Sequence, residues 1–223
     1  DKQGITKFAK ELSCLGVAII ATGRTYQRLH EQNIAVTELS DYTSFPEIMD
    51  GRVKSLHPKV YGGILARRDE DQDTLKQHDI QAIDLVVCNL YPFQETISQP
   101  NCTQQQAIEQ IDIGGPTMIR AAAKNHKDVT VVVDPSDYDD LIEELKQHGN
   151  TTSATRQRLA LKAFQMTSQY DTAIAHYFAT QQTTDNNELP STLNIQAQQK
   201  NSLRYGENQH KSTASFVTHS SQE

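Results

Sequence analysis

Three short apolar runs, Val17–Ala21, Ile83–Asn89 and Val129–Val133, constrain this chain most. Each is too short for a helix and too continuous for a strand with one wet face, so each predicts a strand buried on both faces. Ile34–Leu39 reads as a further short strand. Between them apolar residues recur at helical spacing, first at Ile5, Phe8, Ala9, Leu12 and Leu15, closed by Gly16. A second helical pattern follows Thr22-Gly23, with Leu29 facing inward. Buried strands alternating with helices predict an α/β domain: three layers, α/β/α, around a mainly parallel sheet.

Helical segments are also predicted over Thr103–Ile111 and Pro116–Asn125, separated by Gly114-Gly115. Ser136 with Asp139 reads as a capping pair for a helix through Lys146, stopped at Gly149. Ala154–Thr180 reads as one long helix or a broken pair. From Ser40 to Arg68 the period is lost, and a loop that long inside a compact domain is usually functional. After Thr180 the composition turns to Gln, Asn, Ser and Thr, which predicts a linker or disordered tail. The expected division is a domain over 1–180 and a polar extension over 181–223.

Composition excludes several functions. Lys and Arg total 21 against 28 Asp and Glu, for a formal charge of −7. That disfavours a nucleic-acid partner or an anionic-membrane surface, yet leaves room for a small basic pocket around one phosphate. No run approaches the ~18–20 apolar residues of a membrane span. Cys14, Cys88 and Cys102 show no CxxC spacing, and the histidines form no HExxH pair, so neither a disulfide framework nor a metal site is expected. A reducing, cytoplasmic setting fits. The chain opens at Asp1 with neither Met nor a signal-type segment, which reads as a missing beginning.

In a parallel sheet, ligands bind beyond the carboxyl ends of the strands. Four segments are expected there. Thr22-Gly23-Arg24-Thr25 joins a strand to a helix and is either an anion site or an ordinary turn capped by Thr22. Arg52, Lys54 and Lys59 surround His57-Pro58 as phosphate ligands or as a solvated basic loop. Asn89-Leu90-Tyr91-Pro92 follows the clearest strand and either binds a ligand or terminates that strand. Cys88 beside it reads as a packing thiol. Asp112-Ile113-Gly114-Gly115 lets backbone approach a ligand closely, and Asp112 with Lys124 is either a surface salt bridge or an acid–base couple.

Longer motifs run through these segments. Ser40–Glu47 is SDYTSFPE and Met49–Arg68 is MDGRVKSLHPKVYGGILARR. Further blocks are VVCNLYPF at Val86–Phe93, IDIGGPTMIRAAAKNHKDV at Ile111–Val129, LALKAF at Leu159–Phe164 and LRYGEN at Leu203–Asn208. Together they resemble the bifunctional purine-biosynthesis family that joins inosine monophosphate (IMP) cyclohydrolase to aminoimidazole-carboxamide-ribotide (AICAR) transformylase. The resemblance implies a methylglyoxal-synthase-like fold for 1–180, with its first strand and a preceding Ser missing. It also implies closure of formyl-AICAR (FAICAR) to IMP with no metal or organic cofactor.

By that resemblance Lys124 is the proton-transfer lysine and Asp112 its partner, while Lys54 and Tyr91 orient the formyl oxygen. The nucleotide would be held by Asp1 and Lys2, by Thr22, Gly23, Arg24 and Thr25 at its phosphate, and by Arg52, Val53 and Ser55. Cys88, Asn89, Ile113 and Gly114 would complete the pocket. Arg204 and Tyr205 match AICAR-binding positions of the transformylase. The body of that half, and with it 10-formyltetrahydrofolate binding, is not expected from this chain.

This chain departs from the family pattern at several positions, among them the family's ENPHQ, which is ENQHK at Glu207–Lys211. Arg24 replaces a glycine, Ser44 a glycine, Ser55 a threonine and Tyr61 a histidine. A homodimer is a further expectation. Two other functions suit the fold: a non-catalytic nucleotide receptor, and methylglyoxal synthase acting on a triose phosphate. The joint presence of Lys54, Tyr91, Asp112 and Lys124 argues against the receptor, and the GRVKSLHP and IDIGGPTMIR blocks argue against the synthase.

Overall fold

The computed structural model describes residues 4–90, 93–182, 192, 197–203 and 213–218. Two compact units divide the chain, Asp1–Tyr170 and Asp171–Glu223. The first begins with α1 (Ile5–Cys14), whose Phe8, Ala9 and Leu12 are buried along one stripe. Gly16, at φ 78°, takes the left-handed turn that ends the segment. Next come β1 (Ile20–Ala21), α2 (Gly23–Glu31), β2 (Thr37–Glu38), α3 (Leu39–Thr43), α4 (Pro58–Leu65), α5 (Gln72–Gln77) and β3 (Leu85–Val87). They are followed by α6 (Phe93–Ile97), α7 (Gln104–Glu109), α8 (Gly114–Lys124), β4 (Thr130–Val132), α9 (Tyr138–His148) and α10 (Ser153–Gln182).

Both described strand pairs of this unit are parallel. Ile20 stands opposite Thr37 in the first, and Leu85, Val86 and Val87 stand opposite Thr130, Val131 and Val132 in the second. Val132 joins Phe8, Leu12, Tyr138, Leu141, Ile142 and Leu159 in one buried cluster. At its centre the Phe8 and Tyr138 rings stack 4.2 Å apart. Ile119, Ala122 and Ala123 of α8 are fully buried, and this helix packs on β3, β4 and α4. The small alanines let α8 lie close to the strands.

Several sequence expectations need correction. Val17–Ala21 was expected to be buried on both faces, but Val17 is 37% exposed and only Ile20–Ala21 is strand. The reason is pairing: β1 bonds β2 on one edge, β3 bonds β4, and no described strand stands between β1 and β3. Residues of both β1 and β3 line a common cleft instead. The irregular stretch 40–68 contains most of α3 and all of α4, which are too short for a helical period to register. Ser136 and Asp139 do not form the predicted cap. Asp134 accepts from the Ser136 N–H at 2.9 Å, starting a single 3₁₀ turn ahead of α9. Gly149 ends α9 as expected, at φ 67°. Gly114-Gly115 is not a spacer but the first turn of α8.

The second unit carries an antiparallel pair, β5 (Ala197–Leu203) and β6 (Thr213–Thr218), with Ala197 opposite Thr218 and Leu203 opposite Thr213. Part of the stretch read as a linker is therefore strand. Its sequence, AQQKNSL, has too few apolar residues for alternation to be visible.

Candidate active site

A cleft of about 1710 Å³ runs along β1 and β3, from Gly16–Ala18 and Asp84 ahead of the strands to their carboxyl ends. Thr22–Thr25 line it where β1 passes into α2, and Cys88 and Asn89 line it where β3 ends. The loop before α4 contributes Arg52, Val53, Lys54 and Ser55, and the entry to α8 contributes Asp112, Ile113, Gly114 and Gly115. All four segments that the sequence singled out converge on this one cleft.

The turn after β1 is built for a close approach. Gly23 sits at φ 52°, a conformation that favours glycine. Thr22 makes no side-chain cap on α2, so the capped-turn reading fails and the first N–H groups of the helix have no side-chain oxygen from that residue. The Lys54 ammonium lies 4.0 Å from the place a Cβ on Gly23 would take. A helix N-terminus beside an ammonium attracts an anion through both the helix dipole and the charge. Arg24 is exposed and is not among the residues of positive φ. Replacing the family glycine there costs no backbone strain.

The entry to α8 is just as tightly set. Asp112 Oδ1 accepts from the Gly115 N–H at 2.9 Å. A Cβ on Gly115 would meet Asp112 Oδ2 at 2.5 Å and Leu90 at 2.7 Å, so only glycine admits this cap. The Asp112 N–H donates to the Tyr170 hydroxyl at 2.8 Å, tying the turn to α10. Ser55, 5% exposed, fills the space beside Gly114. At the end of β3 the Cys88 N–H donates to Val132 O at 3.0 Å, and the Asn89 amide donates to the Tyr138 hydroxyl at 3.3 Å. Burial, and then the nearby Asp112 carboxylate, pushes the Cys88 thiol up to about 12. A thiol kept protonated in this way is no nucleophile.

Other expectations change. Lys124 closes the far end of α8, exposed, and is not among the cleft residues. At ~1.5 Å per residue it stands ~15 Å along the helix from Gly114, so it forms no couple with Asp112 within one chain. Of the cations near His57, Lys59 is paired with Asp79 at 3.2 Å, and Arg52, while lining the cleft, is paired with Glu109. His57 caps α4, its Nδ1 accepting from the Lys59 N–H at 3.2 Å. Lys54 forms no ion pair among the described residues. Asp1, Lys2, Tyr91, Arg204 and Tyr205 lie outside the described residues.

Sequence reasoning missed Tyr138, Tyr170 and Glu109, which hold Asn89, Asp112 and Arg52. Their partners are 49, 58 and 57 residues away, and no local pattern could reveal them. Ser44, where the family has glycine, does sit at φ 56°, as a glycine position would require. Among the described residues no group of three or more His, Cys, Asp or Glu could hold a metal ion, and no helix is long and apolar enough to cross a membrane.

Comparison with known proteins bears on the fold and the family. The MGS-like domain family matches residues 4–117, just over half of the chain. The AICARFT/IMPCHase bienzyme family matches residues 122–223. The crystal structure of ForH superposes with a TM-score of 0.75 at 37% identity, covering 82% of this chain and 95% of that one. The α/β reading with a parallel, methylglyoxal-synthase-like sheet holds. The chain belongs to the MGS-like domain family, and from residue 122 it matches the AICARFT/IMPCHase bienzyme family.

Proposed function

We propose that this chain is an IMP cyclohydrolase of purine biosynthesis, closing FAICAR to IMP. The observation that carries the reading is the convergence of an anion-binding turn (Thr22–Thr25 with Lys54) and a carboxylate turn (Asp112–Gly114) on one cleft. The matches to the MGS-like and AICARFT/IMPCHase bienzyme families support it.

The chemistry asks little of a protein. The carboxamide nitrogen attacks the formyl carbon of the same molecule, so effective molarity is high once the two groups are held face to face. One proton leaves the carboxamide nitrogen and one leaves the formamido nitrogen. Both depart with the formyl oxygen as water, leaving the new C–N bond and a C=N bond. Asp112 accepts the carboxamide proton, and the ammonium of Lys54 supplies positive charge for phosphate and developing oxyanion. Tyr91, expected to assist at the formyl oxygen, belongs to the same proposal. Direct proton transfer from Lys124 does not. No metal or organic cofactor is invoked, the ligand is a small nucleotide, and neither transformylase activity nor 10-formyltetrahydrofolate binding is proposed.

One observation favours a second reading. Of the four residues that argued against a non-catalytic nucleotide receptor, Lys124 stands outside the cleft. Single-turnover conversion of FAICAR to IMP, followed by ultraviolet absorbance beside an IMP-binding titration, separates the two. Turnover supports the enzyme. IMP binding without turnover supports the receptor.

A further inference from the structure

We infer that Tyr61 is a positioning residue for the ligand-facing turn Ile113–Gly114, acting through Thr117; this rests on the nucleotide reading of the cleft. Tyr61 is half-buried on α4, and its hydroxyl lies 2.7 Å from Thr117 Oγ1 on α8. Thr117 Oγ1 in turn lies 2.8 Å from Ile113 O and 2.9 Å from Gly114 O. The direction of this chain is fixed by counting protons. Carbonyl oxygens only accept, so the single Thr117 proton is committed to that pair. The phenol must therefore be the donor to Thr117. Burial pushes the Tyr61 phenol up by more than its hydrogen bond to Thr117 brings it down, which keeps that proton in place at neutral pH.

The consequence reaches the cleft through peptide geometry. In a trans peptide the C=O of Ile113 and the N–H of Gly114 point in opposite directions. Drawing the Ile113 carbonyl toward Thr117, down the axis of α8, turns the Gly114 N–H back toward the helix N-terminus. That is where Ile113 and Gly114 line the cleft. The next peptide is held at both ends, its Gly114 C=O by Thr117 and its Gly115 N–H by Asp112. Tyr61–Thr117 and Asp112 thus orient two successive amides at the mouth of the site. The family histidine at this position also carries an N–H that can donate, so the hydroxyl rather than the ring bulk is the element that matters.

The test compares Tyr61→Phe, which keeps the ring and removes the donor, with Tyr61→His, which restores a donor. IMP affinity is read by calorimetry, and the Gly114 amide of the ligand-free protein by ¹⁵N NMR. Tyr61→Phe is expected to weaken IMP binding about fivefold, the worth of one modest hydrogen bond, and to shift the Gly114 amide. Tyr61→His should recover much of both effects, and Thr117→Val should reproduce Tyr61→Phe without adding to it in the double variant. An unmoved Gly114 amide in Tyr61→Phe overturns the inference, as does unchanged affinity. If the unmodified protein binds no IMP, the nucleotide reading fails, while the amide shift still decides the positioning role.

Discussion

The Oγ of Ser55 lies 2.5 Å from the position a Cβ on Gly114 would occupy. Ser55 is buried and short, so it cannot swing aside as the tip of a long side chain would. Gly114→Ala is therefore expected to destabilise the fold by about 1–3 kcal/mol, the usual cost of overpacking. The next Ser55 atom, its Cβ, stands at an ordinary 3.9 Å. Adding Ser55→Ala to Gly114→Ala should thus recover most of the loss, as measured by urea denaturation. A double variant no more stable than Gly114→Ala would show that the clash lies elsewhere.

Asp112 does two jobs that one pair of substitutions can separate. Its Oδ1 caps the Gly115 N–H, and its carboxylate is the proposed base. Asparagine keeps an acceptor oxygen but cannot take the proton. Asp112→Asn should hold the thermal midpoint while turnover falls about 100-fold or more. Asp112→Ala should lose turnover and, with the cap gone, about 1 kcal/mol of stability as well. Turnover retained in Asp112→Asn would remove the carboxylate from the chemistry.

Much of this arrangement was legible in the chain. The runs at residues 83–89 and 129–133 announced β3 and β4 because both are short and continuously apolar, although only β4 is buried throughout and β3 is partly open to the cleft. The segments at Thr22, Lys54, Asn89 and Asp112 announced the site because they follow strands or break helical period. What stayed hidden is long-range. Nothing local to Asp112 points to the Tyr170 hydroxyl that anchors its backbone. The reach of α8 was itself legible, since the helical pattern already puts Lys124 about three turns beyond Gly114-Gly115. Val17 and Ala18 read as core because composition cannot tell a strand with two paired edges from one that opens onto a cleft.

The cysteines should differ sharply in reactivity. Cys14 is exposed at the end of α1, whereas Cys88 is pushed up to about 12 by burial and by Asp112. The thiolate is the reactive form, so at pH 7.5 iodoacetamide should modify Cys14 and leave Cys88 intact in the folded protein. Peptide mass spectrometry reads both sites at once. Rapid labelling of Cys88 would contradict its placement as a packing thiol.

Asp134 supplies a pH dependence with a definite sign. The Lys162 ammonium at 2.7 Å, assisted by the Ser136 N–H, holds its carboxyl down to about 2. Since an unfolded aspartate titrates near 3.9, the folded state binds the proton less readily. The stabilisation is therefore present above pH ~4 and is lost as pH falls toward 2. The stability gap between the unmodified protein and Asp134→Asn should be open at pH 5 and should close on acidification. A gap independent of pH would mean that the Lys162 contact adds nothing specific to the ionised form.

The two lysines implicated by sequence should part company in a direct comparison. Lys54 stands in the cleft, its ammonium beside Gly23, at the helix N-terminus proposed to take the phosphate. Losing a charge-assisted contact there is worth about 1.5–3 kcal/mol, so Lys54→Met should weaken IMP binding by about tenfold to 100-fold and slow turnover. Lys124 lies ~15 Å down α8 from Gly114 and outside the cleft. Lys124→Ala should keep both affinity and single-turnover rate within about threefold of the unmodified protein, since screening weakens a charge at that range. Loss of turnover in Lys124→Ala with IMP affinity intact would mean that this lysine reaches a reacting group after all. Because the helix holds it away from the site of its own chain, that site would have to belong to a second copy. Mixing Lys124→Ala with Asp112→Asn would then restore activity by complementation, and its absence would mean that Lys124 acts in the site of its own chain.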